Sequence, residues 1–290
     1  MKLWNENVEV DFFKKSLASF ASVSDLFYKL GSKYYAYVPK GFAKGSPTLQ
    51  SRNSLIGKFT EKWTRDLLEP IAKKYGLFAI NEVVCDDLGL DNKTAADLAF
   101  CTTNENIQKP QNIKLLFEIK MSIVANYEYI SNNKIKYLGD YKTHKGNPSL
   151  LRSDSMLKAI GKAVNIRTSI VNASEIPIIV LGNSPITKNY AHKVDVLKNS
   201  GILQGFLSLN PNPASCDFIK CTIDKGFNTV EDYDQLENII GEFLSLKLYF
   251  FSSMVTNFKL GQLIEIANQE KSYEAKGEKF IKLLRGNNEK

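Results

Sequence analysis

The run from Lys114 to Met121, KLLFEIKM, constrains the fold more than any other stretch. Its apolar residues mark a buried strand, yet it carries Glu118 and Lys120. Successive strand side chains point to opposite faces, so Glu118 and Lys120 leave on one face and Ile119 on the other. A carboxylate and an ammonium are costly to bury unless paired or liganded, so the pair marks a site. The acidic-x-Lys pattern alone is weak, since it occurs at Asp91/Lys93, Glu118/Lys120, Asp140/Lys142 and Glu274/Lys276. Three of these lie in turn-like or polar surroundings, and only Glu118/Lys120 is embedded in an apolar strand.

Upstream, Ala95 to Cys101 (AADLAFC) reads as a second short strand with Asp97 in its middle. The polar connection TTNENIQKPQN predicts a hairpin that brings Asp97, Glu118 and Lys120 to one end of a sheet. Ahead of it, residues 77–84 read as a strand and residues 53–75 as a helix with the stripe Leu55, Phe59, Trp63, Leu67 and Leu68. Glu61 lies off that stripe. It reads either as a solvated partner of a nearby lysine or as a third acid approaching the site.

Beyond the hairpin, residues 152–173 read as a helix. Met156, Ile160, Val164 and Ile170 face the core, and Lys158, Lys162 and Arg167 lie on other faces. Residues 176–182 are almost wholly apolar, as in a strand covered on both sides. A helix at 188–201 and a strand at 202–210 follow, a path that predicts parallel pairing through a right-handed crossover. Residues 216–223 are expected to add a strand, residues 232–258 a helix, and residues 259–270 a further helix. Residues 1–40 read as helical. The fold class is therefore α/β, a central mixed sheet flanked by helices with N- and C-terminal helical additions. The expected organisation is an N-terminal helical region and basic arm (1–52), a core (53–225) with an insertion at 122–151, and a C-terminal helical region packed on the core (226–290).

The chain has 290 residues, a net charge of +7 and a pI near 9.0. A basic balance is compatible with a polyanion partner. Cys85, Cys101, Cys216 and Cys221 lack the spacing of a zinc site, and His144 and His192 are the only histidines. No P-loop and no GxGxxG is present, so no nucleotide cofactor is expected. The opening run MKLWNENVEVDFFKK carries charges where a secretory signal has its apolar core, and no segment is suited to span a bilayer. A reducing, cytoplasmic setting without a membrane is the expectation.

Residues 34–54 are rich in Gly, Ser, Pro and basic residues, and read either as a solvated connector or as a DNA-contacting arm using Lys40, Lys44 and Arg52. After Met121, tyrosines interleave with Lys142, His144 and Lys145, ahead of Arg152. Such a ribbon reads either as plain surface or as reaching into a DNA groove, with basic groups on phosphates or guanine edges. Lys158 and Lys162 extend the basic set. The C-terminal run Leu244, Leu246, Leu248, Tyr249, Phe250 and Phe251 reads as core in preference to a subunit interface.

Asp97, Glu118 and the Ile119 carbonyl are placed to converge on a hard divalent cation such as Mg²⁺, one or two per site, because Mg²⁺ takes oxygen ligands and needs few protein carboxylates. Lys120 beside it would orient a water and offset transition-state charge in attack on a phosphodiester. A helix bearing Glu61, a strand Asp97, and Glu118-x-Lys120 on the next strand resemble the PD-(D/E)XK nucleases. The helix and apolar strand over 152–182 follow that family's core order, and the resemblance spans roughly residues 53–210. One departure is Ala96 where the family often has Pro.

The resemblance implies a restriction-endonuclease-like core, with Asp97 and Glu118 as metal ligands, Lys120 as the catalytic lysine and Glu61 as the auxiliary acid. The size and the insertion after the catalytic strand look like a type II restriction endonuclease. That implies Mg²⁺-dependent, sequence-specific cleavage of double-stranded DNA by a homodimer matched to a palindromic site. The alternatives are a structure-specific or repair nuclease with the same site, and a non-catalytic DNA-binding protein.

Overall fold

The computed structural model describes residues 1–19, 21–42, 49–131, 134–169, 173, 175–245, 247–250 and 255–286. Two compact units are present, Met1–Leu248 and Tyr249–Lys290. The division falls beyond the expected boundary at 225, because the helix at 233–245 buries Leu236 and Ile240 in the core of the first unit.

The first unit opens with α1 (Glu6–Ser19) and the short α2 (Val23–Leu26), then the hairpin of β1 (Tyr28–Leu30) and β2 (Lys33–Tyr35). This corrects the helical reading of residues 28–40. Gly31 takes the left-handed φ of 63° that the turn requires, and the aromatic residues around it favour strand. Next come the long helix α3 (Gln50–Lys74) and the strands β3 (Phe78–Val83), β4 (Ala96–Cys101) and β5 (Ile113–Lys120). The insertion forms a second hairpin, β6 (Asn126–Ser131) and β7 (Lys134–Gly139). Helix α4 (Ser153–Ser169), β8 (Ile178–Gly182), α5 (Lys188–Asn199), β9 (Gly205–Ser208), β10 (Phe227–Thr229) and α6 (Tyr233–Ser245) complete the unit.

The central sheet is six-stranded and mixed, in the order β10-β9-β8-β5-β4-β3. β3, β4 and β5 pair antiparallel, whereas β5, β8, β9 and β10 pair parallel. Alternation along β5 sorts its side chains into two cores. Leu115, Phe117 and Ile119 face a cluster with α1, α3 and α6 residues, and Leu116 faces a second cluster with α4 and α5 residues. Glu118 and Lys120 therefore continue the α4 face. A second, antiparallel sheet joins the two hairpins in the order β1-β2-β6-β7.

The expected strand at 216–223 does not form. Cys221 makes an isolated bridge to Asn228, Ile223 is exposed, and the sheet's last strand is β10. The single helix expected over 232–258 ends, among the described residues, at Ser245, ahead of the aromatic run that starts at Tyr249. In the second unit, α7 (Asn257–Ala267) is capped by the Thr256 hydroxyl, which accepts from the Lys259 N–H at 3.2 Å, and α8 (Tyr273–Gly286) follows. Leu246 and Phe251 lie outside the described residues. Among the described residues no helix is long and apolar enough to cross a membrane.

One buried carboxylate ties the N-terminus to the exit of β5. Glu9 of α1 accepts from Trp4 Nε1 (2.9 Å), Val124 N (2.7 Å), Ala125 N (3.1 Å) and the Tyr127 hydroxyl (3.0 Å). Burial pushes its carboxyl up to about 7 against the pull of those four donors. Glu9→Ala would strand four buried donors, so urea unfolding is expected to show a loss of roughly 3 kcal/mol. A loss near that of an exposed substitution would mean water replaces the carboxylate.

Candidate active site

The β4–β5 register pairs Leu98 with Phe117, which sets Asp97 level with Glu118. The Ile119 N–H donates to Asp97 Oδ2 at 2.6 Å, so one carboxylate is oriented by the neighbouring strand. Lys120 Nζ reaches Glu118 Oε1, Asp97 Oδ2 (3.6 Å) and the Ile119 carbonyl (3.3 Å). The groups expected to converge on a cation thus surround one ammonium. Lys162 of α4 supplies a second, 2.7 Å from Glu118 Oε2 and 3.4 Å from Asp97 Oδ1. The four side chains are 9% to 19% exposed, so their charges are poorly screened.

Glu61 is half-buried on α3 and lines a cleft, about 600 Å³ in volume, with Glu82, Asn92, Lys93, Asp97, Asn106 and Ile107. Asn81 Nδ2 links the two sides, donating to the Glu61 carbonyl (3.2 Å) and the Asp97 carbonyl (2.8 Å). Burial, then the charges of Asp97 and Glu82, push the Glu61 carboxyl up to about 7. Burial and Asp97 also raise Glu118, while the two lysines pull it down. For Lys120, burial lowers the pKa, but the Asp97 and Glu118 carboxylates outweigh it and hold the ammonium above its ordinary value.

The strand's exit is fixed by a polar knot. Ser149, at φ 51°, donates through Oγ to the Lys120 carbonyl (2.5 Å), and its own N–H donates to Ser122 Oγ (2.8 Å). Asn183 Nδ2 donates to the Ser122 carbonyl at 2.7 Å, and Asn183 N–H donates to Ser149 Oγ at 3.0 Å. Gly182 permits this: a Cβ there would fall 2.4 Å from Leu150 Cγ. Lone Ser and Asn residues carry no sequence signal for such a knot, which only the turn between α4 and the sheet creates.

The expected DNA contacts divide. Lys142, Lys145, Arg152 and Lys158 are exposed, Arg152 in a fork with Asp154 at 2.7 and 3.0 Å. Lys44 lies outside the described residues. Arg52 corrects its reading, being 4% exposed, with its guanidinium on the Leu26 and Ala36 carbonyls and 4.6 Å from the Tyr37 ring centroid. His144 is corrected likewise. It is buried, stacks on Tyr37 at 4.0 Å, donates from Nε2 to the Val124 carbonyl (2.9 Å) and accepts at Nδ1 from Gly146 N–H (3.1 Å). Those bonds define a neutral ring, and burial lowers its pKa to about 4. Arg167 is also internal, donating to the Ala173, Ile176 and Ile202 carbonyls. Lys162, read as a surface cation, belongs to the site.

Among the described residues no three or more His, Cys, Asp or Glu side chains form a ready metal cage. Mg²⁺ seldom uses one, since it retains waters and takes one or two carboxylates plus substrate phosphate. The oxygens of Asp97, Glu118 and Ile119 are hard ligands, and already accept from cationic ammonium groups, so the donor set fits a divalent cation. Compared with family models, curated proteins and solved structures, the chain has no significant match.

Glu61 gives a direct check. Its carboxyl is expected to titrate near 7 by ¹³C NMR, staying protonated in the mildly acidic range where an exposed Glu is already ionised. Asp97→Asn removes a negative neighbour and should lower that midpoint. An unmoved midpoint would show that the two carboxyls do not sense each other.

Proposed function

We propose that the chain is a Mg²⁺-dependent endodeoxyribonuclease of the PD-(D/E)XK type, acting on double-stranded DNA as a type II restriction endonuclease does. The observation that carries the reading is the meeting of Asp97, Glu118 and Lys120 from two antiparallel strands, with Asp97 also lining the cleft that holds Glu61. The order α3-β3-β4-β5-α4-β8, antiparallel on one side of β5 and parallel on the other, agrees with a restriction-endonuclease-like core. Exposed Lys142, Lys145, Arg152 and Lys158 suit phosphate contacts, which need positive charge and no base recognition.

Asp97, Glu118 and the Ile119 carbonyl would hold Mg²⁺. Such a cation, when bound, lowers the pKa of a coordinated water and stabilises charge on a phosphate oxygen. Lys120 Nζ, anchored by both acids, orients the attacking water and offsets charge developing on the phosphate. Glu61, with its carboxyl near neutrality, is matched to accept that water's proton, because a general base works best with a pKa near the operating pH. The water oxygen bonds to phosphorus as the P–O bond to the leaving oxygen breaks, and the leaving alkoxide takes a proton from bulk water. The half-buried Asn81 amide keeps the Glu61 backbone aligned with Asp97.

Digestion of long duplex DNA in Mg²⁺ tests the reading, with wild type beside Lys120→Ala and with EDTA. Discrete fragments are expected from wild type only, with the rate falling by about a hundredfold or more in the variant. A smear lost in the variant would keep the nuclease and remove the sequence specificity. Intact duplex under all conditions, with branched DNA also uncut, would overturn the enzyme.

A further inference from the structure

Lys162 enters the site from α4, whereas both acids and Lys120 come from the β4–β5 hairpin. An ammonium has three N–H donors and no acceptor. Lys162 Nζ places them on Glu118 Oε2 (2.7 Å), Asp97 Oδ1 (3.4 Å) and the Ala95 carbonyl (2.7 Å). One cation therefore takes one oxygen from each acid. Lys120 occupies the other oxygen of each.

We propose that Lys162 is a tethered placeholder cation, filling the space between Asp97 and Glu118 until a divalent cation displaces it. The inference rests on the metal-dependent reading above. Two carboxylates and two ammonium groups leave this cluster balanced. A divalent cation added to the unaltered set would create an excess of positive charge in a place with little water to screen it. Moving the Lys162 ammonium off the two oxygens relieves that excess and frees the donors. Its four-carbon stem allows the movement without shifting α4, and the anions it would turn toward are Glu61, whose carboxyl already senses the Lys162 charge, and the substrate phosphate. Cation and DNA then bind cooperatively, each raising the other's affinity by the same factor.

Ca²⁺ serves as the probe, with the full chain and no DNA, by calorimetric titration and by thermal unfolding in Ca²⁺ against EDTA. Lys162→Met and Lys162→Gln are expected to bind Ca²⁺ about tenfold more tightly than wild type, the scale of one lost charge contact. Both should unfold at a lower temperature in EDTA, with Ca²⁺ closing the gap. If Lys162→Met does not fold, Lys162→Gln, whose amide can still donate to the Ala95 carbonyl, carries the test. Lys114→Gln makes the same charge change at the exposed far end of β5 and should match wild type. Binding by the Lys162 variants alone also supports the proposal. Equal or weaker Ca²⁺ binding in those variants, or the same gain in Lys114→Gln, would overturn it while leaving the nuclease reading intact. Binding by neither wild type nor variants would overturn the placeholder role, while the DNA digestion above decides the nuclease reading separately.

Discussion

Two carboxylates and two ammonium groups share a poorly hydrated corner where β4, β5 and α4 meet, and each is paired with two of opposite charge. An isolated buried ion is far more costly than a paired one, so the register of the β4–β5 hairpin and the seating of α4 are energetically linked. A slip of one residue in β5 would turn Glu118 and Lys120 toward the α3 face and leave Asp97 and Lys162 unbalanced. The mixed sheet meets this condition with opposite pairings on either side of one strand. The antiparallel side of β5 delivers Asp97, and the parallel side backs Glu118 and Lys120 with the apolar strand β8.

The chain leaving β5 is secured from distant parts of the sequence. Glu9 receives Val124 and Ala125, while Ser149 and Asn183 secure Lys120 and Ser122. These bonds satisfy backbone groups where regular strand pairing stops, as buried amides and carbonyls require. They also fix the departure of the insertion whose outer surface carries Lys142 and Lys145. Asn92, Asn106 and Ile107 of the cleft beside Asp97 are exposed, so the cleft opens to solvent.

Much of this was legible in the sequence because its signals were periodic. KLLFEIKM alternates cleanly, AADLAFC places one acid in an apolar strand, and the apolar run at 176–182 admits little but a covered strand. The role of Lys162 was hidden by a misread helix face. The large apolar side chains alone turn Val164 inward, yet it is 39% exposed, and the buried ridge is Met156, Ala159, Ala163 and Ile166. Small alanines let α4 approach the sheet, but they weigh little in a pattern of large apolar side chains, and the true ridge turns Lys162 toward the acids. Arg52 and His144 misled for the converse reason. Charge and polarity suggested surface, whereas aromatic Tyr28 and Tyr37 and nearby carbonyls make an interior that accepts both.

Stability alone does not account for four ionisable groups at the end of this sheet. Replacing a buried ion pair by apolar residues of similar volume is often neutral or stabilising, and the same face already uses Ala99, Leu116 and Val180 a step away. An apolar pair at 118 and 120 would extend that core without desolvating charge. The charges are also arranged unlike a purely structural cluster. One of them, Asp97, lines a cleft together with Glu61, a further acid whose burial and negative neighbours push its carboxyl up to about 7. A structural salt bridge favours ionised partners, whereas Glu61 is placed so that its proton is easily gained and lost. Perturbed carboxyls in a cleft are what proton transfer requires, and the balanced acids and lysines beside it are what transient binding of another cation and an anion requires.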